Sequence, residues 1–373
     1  MEEIKEMVVY YDAIMIDGEL WLSAINSNGL YKRNFTTKKL QLIAFFPKED
    51  LEKQFLHSKI LQYENKLFFV PFQAKEIAIY DMEKGTMSSL ELPPNSQGKQ
   101  YSKFYTAIQE QQYIYCVPCR YEYLVKYDIC QKKMEFYDVF KGDKEHKWND
   151  EDAFIYKGAC KVNKKIYLAS YVSDYILEYD LETRQSNYFD LPVQLGGISN
   201  LLNKDNIFWI IGRNGSICKW NGEHKEIEVI KGEEFVKLNQ CFFDALIYDN
   251  KIYLTGTQNR KIYIYDIVAK KIETMDLKEN VKKSFKEFWG DFPAMTIIDR
   301  NVIGIMNAWD GKIYLINTEN KEVKSFGLGC NGIKLDSGFA QQFLQYDQPI
   351  KENRELGIDV EFFIRALNMP APK

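Results

Sequence analysis

Three arginines lie in short turns at corresponding points of the chain: Arg120, Arg213 and Arg260. A guanidinium group is permanently charged and presents a planar set of N–H donors, which fits carboxylate, sulfate and phosphate groups. If the turns converge, the three arginines repel one another unless carboxylates or a bound anion compensate their charge. The sequence therefore predicts a binding site for an anionic or sugar-like ligand.

Aromatic and acidic side chains are predicted to join these arginines. Asp174, Trp309 and Asp310 lie in turns of the same kind, whereas Trp148 and Trp289 lie in two long loops that lead toward the same ends of the strands. Ligand sites combine aromatic surface with a few well-placed polar groups. For each residue the alternative is structural, because a turn arginine is commonly solvated and a loop tryptophan commonly packs against a sheet edge.

His146 is the histidine whose neighbours favour chemistry. Asp150, Glu151 and Asp152 follow it in the segment HKWNDED. Carboxylates beside an imidazole can perform acid–base work or bind a cation. The alternative is a solvated acidic loop, so His146 joins the candidate ligand-binding residues and no residue is assigned a catalytic role.

Two cysteines, Cys116 and Cys119, form a CxxC motif within the strand-like segment YIYCVPC. Residues three apart on a strand point to opposite faces, so the pair is not expected to hold a metal ion. The seven cysteines are odd in number and lie mostly in strand-like segments, as is typical of reduced, buried thiols. Neither a phosphate-cradling glycine loop nor a dinucleotide fingerprint occurs, so no cofactor is expected.

The segments that hold these residues repeat along the chain. Pairs of strand-like segments begin at Lys66, Lys165 and Lys251, and KIYLASYVSDYILEYDLETRQ and KIYLTGTQNRKIYIYDIVAKK are the clearest copies. Seven copies align on a residue pair that ends a strand, at spacings of 41 to 52 residues. The aligned pairs are Arg33-Asn34, Tyr80-Asp81, Tyr127-Asp128, Tyr179-Asp180, Trp220-Asn221, Tyr265-Asp266 and Ile316-Asn317.

Each copy is predicted to be a four-stranded blade, because one further apolar segment precedes and another follows each pair of strands. Strands such as IYLTG are apolar at successive residues, which indicates that both faces are buried against neighbouring blades. The Asp or Asn of the aligned pair can bind backbone amides two residues on, and the Tyr or Trp before it can wedge between blades. Seven units of four strands predict an all-β, seven-bladed β-propeller of antiparallel blades.

Residues 10–328 resemble the superfamily of seven-bladed repeat propellers, with IYIYDI and ILEYDL where WD40 repeats place their Trp-Asp pair. The chain lacks the Gly-His dipeptide of WD40 repeats, the paired glycines of kelch repeats and the full box of sialidase-type propellers. It is more similar to the bacterial YVTN or surface-layer repeats. Members of that group do many things, so the resemblance implies the fold and no particular activity.

The propeller is expected to span residues 1–328, followed by a tail over residues 329–373. In the tail, apolar residues fall at helical spacing, which predicts a short amphipathic helix packed on the propeller. The alternative is a helix that binds a partner. These apolar residues are Leu356, Val360, Phe363, Ile364 and Leu367.

Composition narrows the classes of partner. The net charge is -4 and the lysines are scattered, so no field suited to nucleic acid is expected. No run approaches the roughly 18 to 20 apolar residues of a membrane span. The first residues are acidic where a signal peptide is basic, and together with the cysteine pattern this predicts a cytoplasmic protein. The resemblance to YVTN or surface-layer repeats implies a bacterial one, and the protein is expected to be a monomer.

Two functions remain open at this point. The first is a binding or scaffold protein that recognises a peptide, protein or glycan partner on the loop-rich face of the propeller. The alternative is a propeller enzyme, a lyase, hydrolase or epimerase, that acts on a sugar or modified peptide with His146, Arg213 and neighbouring carboxylates at the channel mouth.

Overall fold

The computed structural model of the protein describes residues 6–25, 27–37, 40–50, 53–94, 102–140, 157–222, 226–230, 242–256, 261–277, 294–307 and 311–330. These residues form thirty strands. Over the described ranges, no helix is long and apolar enough to cross a membrane.

The strands are assigned in chain order. The first half comprises β1 (Glu6–Met7), β2 (Ala13–Ile16), β3 (Glu19–Ser23), β4 (Leu30–Asn34), β5 (Leu40–Ala44), β6 (His57–Tyr63), β7 (Lys66–Pro71), β8 (Ile77–Asp81), β9 (Thr86–Leu90), β10 (Phe104–Glu110), β11 (Tyr113–Pro118), β12 (Leu124–Asp128), β13 (Lys133–Tyr137), β14 (Ala159–Val162) and β15 (Lys165–Ala169). The second half comprises β16 (Tyr175–Asp180), β17 (Ser186–Asp190), β18 (Ile198–Lys204), β19 (Ile207–Gly212), β20 (Ile217–Trp220), β21 (Ile227–Ile230), β22 (Phe242–Tyr248), β23 (Lys251–Gly256), β24 (Lys261–Asp266), β25 (Lys271–Asp276), β26 (Ala294–Asp299), β27 (Val302–Asn307), β28 (Lys312–Asn317), β29 (Val323–Gly327) and β30 (Gly329–Cys330).

Strands β2 to β29 form seven four-stranded antiparallel sheets, and within each sheet the strands are hydrogen-bonded in chain order. Each sheet is one blade, and blades one to seven begin at β2, β6, β10, β14, β18, β22 and β26. The predicted seven-bladed β-propeller is confirmed.

Burial differs between the strands of a blade as the apolar pattern predicts. In the second strands β7, β19 and β23, every residue after the first is buried. The fourth strand β25 instead contains only exposed and half-buried residues. The central strands therefore supply the core, and the fourth strands form the blade edges.

The Asp or Asn that ends the third strand caps the turn into the fourth, as predicted. Its Oδ1 accepts the backbone N–H of the residue three positions on in the six blades where the turn is described, at 2.7 to 3.0 Å. In blades four, six and seven it also accepts the N–H two positions on. The six capping residues are Asn34, Asp81, Asp128, Asp180, Asp266 and Asn317.

The aromatic residue before the cap packs on the preceding blade. Tyr80 lies 5.8 Å from Trp21 between ring centroids, and Tyr265 lies 5.8 Å from Trp209. Tyr179 contacts Tyr137 in the same manner. These tilted ring pairs bury large apolar surfaces between blades and confirm the predicted wedge role.

The chain divides into two compact units. The first holds blades one, two and seven together with the pair β1–β30. Within it, Val8 N donates to Leu328 O at 3.0 Å, and the Thr296 hydroxyl of β26 donates to Ala13 O of β2 at 2.8 Å. Blade seven is thereby held to blade one. Residues 331–373, with the predicted tail helix, lie outside the described residues.

The second unit holds blades three to six. In this unit the first strands of successive blades contact one another. Lys157, just before β14, forms a parallel β-bridge with Asn200 of β18. This unit contains the described residues of the predicted ligand site.

Candidate ligand-binding site

Arg120 and Arg213 occupy corresponding turns of blades three and five. Arg120 follows β11 and its amide donates to Ser102 O at 3.0 Å; Arg213 follows β19 and its amide donates to Gly197 O at 2.9 Å. In both blades the turn is thus tied to the segment that leads into the first strand. That the two arginines serve one ligand stays a prediction.

The other predicted site residues fall outside the described part of the chain, apart from Asp174. They are Arg260, Trp148, Trp289, Trp309, Asp310 and His146.

Asp174 fixes the loops around Arg213. Its Oδ2 accepts Leu195 N at 3.0 Å and its Oδ1 accepts Gly197 N at 2.7 Å. Its carbonyl accepts Leu191 N at 2.9 Å. The carboxylate therefore connects the turn of blade four, through two hydrogen bonds, to the segment that leads into blade five. We assign Asp174 a positioning role. Direct contact with a ligand stays a prediction.

Gly197 permits the close approach of these two loops. Its φ is 97°, and a Cβ atom at this position would lie 1.9 Å from Tyr171 O and 3.1 Å from Arg213 Cδ. Both the left-handed backbone and the lack of space require glycine. The Gly196-Gly197 dipeptide before β18 is the feature of the sequence that indicates this close approach.

The Arg213 guanidinium lies over the ring of Tyr171. Its Cζ is 4.5 Å from the ring centroid, and Nη1 donates to Tyr171 O at 3.4 Å. Its Nε is buried and donates to no described residue. The aromatic face orients the cation and leaves its charge without a paired carboxylate among the described residues. Tyr171, three residues before the turn residue Asp174, is not among the site residues predicted from the sequence.

A second polar group joins the segment just before the first strand of blade four to the first strand of blade six. Lys157 Nζ is 2.7 Å from Asp244 Oδ2, and the two side chains are 17% and 9% exposed. The same ammonium lies 5.8 Å from the centroid of Phe243. Lys157 precedes blade four and Asp244 belongs to blade six, so the pair spans the first strand of blade five.

A β-bulge near the start of the first strand recurs in this unit. The register with the second strand shifts between Ile198 and Asn200 in β18 and between Phe242 and Asp244 in β22. The extra residues are Ser199 and Phe243. A bulge re-aims side chains, and here it accompanies the approach of Lys157 to Asp244. The sequence pattern gave no indication of this group.

The CxxC cysteines are buried thiols. Desolvation raises the pKa of Cys116 to about 12 and also raises the pKa of Cys119 above its ordinary value. Both are free of disulfides. Among the described residues, no cluster of three or more His, Cys, Asp or Glu side chains is placed to hold a metal ion.

Comparison with known proteins gives structural neighbours only. No protein-family model matches the chain, and no curated protein sequence matches it. The β-propeller domain of Cps50 (Swd1) from Myceliophteria thermophila superposes with a TM-score of 0.60 at 8% identity, covering 83% of this chain and 97% of that one. A streptogramin B lyase gives a TM-score of 0.56 at 15% identity, covering 73% of this chain and 83% of the lyase.

A third neighbour is an extracellular domain of a putative one-component system from B. thetaiotaomicron. Its TM-score is 0.58 at 12% identity, over 83% of this chain and 38% of that one. Likeness at these identities shows the fold alone, and that fold is the β-propeller.

Proposed function

We propose that this protein is a cytoplasmic, non-catalytic binding protein that recognises an anionic group of its partner at Arg213. The observation that carries the proposal is the cation held over Tyr171 at 4.5 Å, with its Nε buried and unused by any described residue. A preorganised guanidinium loses little conformational freedom when it binds a carboxylate or phosphate.

The surrounding loops support this role because they hold the cation without neutralising it. Asp174 directs both carboxylate oxygens to backbone N–H groups of the neighbouring segment. The bond from Nη1 to Tyr171 O is long, at 3.4 Å, so a stronger acceptor on a ligand can compete with it. The arrangement therefore suits charge-assisted hydrogen bonding to an external anion.

The test is binding to arrays of acidic glycans and acidic or phosphorylated peptides, with Arg213→Ala as the variant. Removing the guanidinium is expected to weaken binding of the retained ligands by about 1.5 to 3 kcal/mol, the value of a charge-assisted hydrogen bond. Arg184→Ala is the matched control, because Arg184 is an exposed arginine that lies 3.9 Å from Glu135 and its loss changes the net charge equally.

Equal binding by wild type and Arg213→Ala would refute the proposal. If Arg184→Ala weakened binding by the same amount, the effect of Arg213→Ala would be explained by the change in net charge alone, and the proposal would be wrong. The enzyme that acts on a sugar or modified peptide stays the alternative prediction, and conversion of a retained ligand by the purified protein would favour it.

A further inference from the structure

The Lys157–Asp244 pair places hydrogen-bond donors directly beside acceptors. An ammonium group only donates and an ionised carboxylate only accepts, and here they are 2.7 Å apart. A hydroxyl group does both through one oxygen atom, so it can accept from Lys157 and donate to Asp244 at the same time. A peptide group carries its donor and acceptor on different atoms that point in opposite directions. Asp244 Oδ1 accepts Ala245 N at 2.9 Å, so the acceptor beside the ammonium is Oδ2, and a hydroxyl group suits this arrangement of donor and acceptor.

Phe243 adds an apolar surface next to this pair. It is the extra residue of the β22 bulge and is only partly buried, and its ring lies 5.8 Å from Lys157 Nζ. Aromatic surface next to a few polar groups is the usual composition of a small-molecule site. A sugar has an apolar C–H face and a hydroxylated rim, which match these two features.

Strand β18 connects this group with Arg213. Gly197, just before the strand, accepts the Arg213 amide, and Asn200, three residues on, bridges to Lys157. Arg213 and the Lys157–Asp244 pair therefore both adjoin the start of β18.

We propose that Lys157, Asp244 and Phe243 form a hydroxyl-binding subsite, so that the ligand of this protein is an acidic saccharide. Its carboxylate binds Arg213 and the hydroxyl groups of a neighbouring sugar bind the Lys157–Asp244 pair. This inference rests on the proposed function, because it takes Arg213 as the anion subsite and adds the chemical class of the ligand.

The experiment is calorimetric titration of the full chain with three groups of probes. The first is a set of uronic-acid disaccharides from pectin, hyaluronan and heparosan; the second is the neutral pair cellobiose and lactose; the third is the dipeptide Glu-Glu. We expect measurable affinity for at least one uronide, with neutral sugars and Glu-Glu each weaker by about tenfold or more, because each lacks one of the two sets of charge-assisted contacts.

Variants separate the two subsites. Lys157→Gln is expected to weaken uronide binding by about tenfold while leaving the affinity for Glu-Glu unchanged, whereas Arg213→Ala weakens both. Phe243→Leu keeps apolar volume and removes the aromatic face, and it should also weaken only the saccharides. Lys59→Gln is the matched control, because Lys59 forms a comparable interblade pair with Asp12 at 3.1 Å in the first unit. Thermal unfolding verifies that each variant is folded.

The outcomes distinguish this inference from the proposed function. If Glu-Glu binds as tightly as every uronide, or if Lys157→Gln weakens both equally, the saccharide assignment is wrong and a peptide partner is favoured. The assignment is also overturned if no uronide binds or if Lys59→Gln reproduces the Lys157→Gln effect. If the uronides bind and Lys157→Gln weakens them but Arg213→Ala does not, the anion subsite fails while the hydroxyl subsite stands.

Discussion

The imidazole of His57 is 3.1 Å from the hydroxyl of Ser23, measured from Nδ1 to Oγ, and both residues are buried. The imidazole packs between Phe46 and Phe69, with ring centroids 4.1 and 5.6 Å away. Its Nε2 has no hydrogen-bond partner among the described residues. An apolar site of this kind favours the neutral imidazole, and burial lowers the pKa of His57 from 6.5 to about 3.

Acid should therefore destabilise the protein through His57. The folded state holds the neutral form down to about pH 3, whereas the unfolded chain binds a proton below its ordinary pKa of 6.5. The contribution is fully present above pH 6.5 and is lost as the pH falls, by up to about 1.4 kcal/mol per pH unit. Urea unfolding at pH 7.5, 6 and 5 measures this loss.

His57→Phe is the comparison variant, because it removes the titrating group and keeps an aromatic side chain. Carboxylates also titrate in this range, so the informative quantity is the difference in pH dependence between wild type and variant. The slope below pH 6.5 should be shallower in His57→Phe. Parallel curves would show that the pKa of His57 is the same in the folded and unfolded states, so that burial does not lower it.

Asn28→Ala should strongly destabilise the first blade. The Asn28 side chain donates to Phe46 O at 3.0 Å and to Glu49 O at 3.1 Å, and it accepts from Phe46 N at 2.8 Å. Its loss leaves three buried backbone groups without this partner, and we expect a decrease of about 3 kcal/mol in the free energy of unfolding. Asn320→Ala is the control, because Asn320 bonds an exposed turn amide and its loss should be small. Equal effects in the two variants would contradict this account.

Cysteine alkylation should report the burial of the thiols. Cys130 is exposed, whereas Cys116 and Cys218 are buried and desolvation raises the pKa of each to about 12. Because the thiolate is the reactive species, iodoacetamide at pH 8 should modify Cys130 in the native protein and the other two only after unfolding in guanidinium. Peptide mass spectrometry measures each site. Rapid native modification of Cys116 would contradict the burial of its strand.

The repeat made the fold predictable from the sequence because each blade has the same short-range sequence features. An apolar second strand, an aromatic wedge and a capping Asp or Asn recur in order, and the structure uses each for the predicted purpose. The first copy, whose sequence diverges most from the others, also folds as a blade, and Asn34 caps its turn. These features act within a few residues or between adjacent blades, so a linear pattern reveals them.

The site was less predictable because its contacts depend on distant geometry. The repeat predicted that Arg213 lies in a turn. The aromatic ring beneath its guanidinium belongs to Tyr171, which lies on the preceding blade. The approach of Lys157 to Asp244 spans blade five and accompanies a bulge that adds one residue to β22. A repeat alignment records neither a register shift nor the reach of a lysine side chain.

Gly197→Ala should disrupt the Arg213 site, whereas Gly196→Ala should leave it intact. Both glycines have left-handed backbones, with φ of 97° and 67°, so alanine is strained at either position. They differ in space, because a Cβ atom on Gly197 would lie 1.9 Å from Tyr171 O, and one on Gly196 would have no atom within 4 Å. The neighbouring residue is therefore a matched control for the clash.

Gly196→Ala should lower the free energy of unfolding by about 1 kcal/mol, the value of a left-handed alanine, and keep ligand affinity unchanged. Gly197→Ala must also push the backbone at Tyr171 away from Arg213, so we expect a loss of about 3 kcal/mol or more together with weakened binding of an anionic ligand. Chemical unfolding and calorimetric titration measure the two effects. If the two variants were equally stable and bound the ligand equally, the close approach of these loops would have no part in holding the guanidinium over Tyr171.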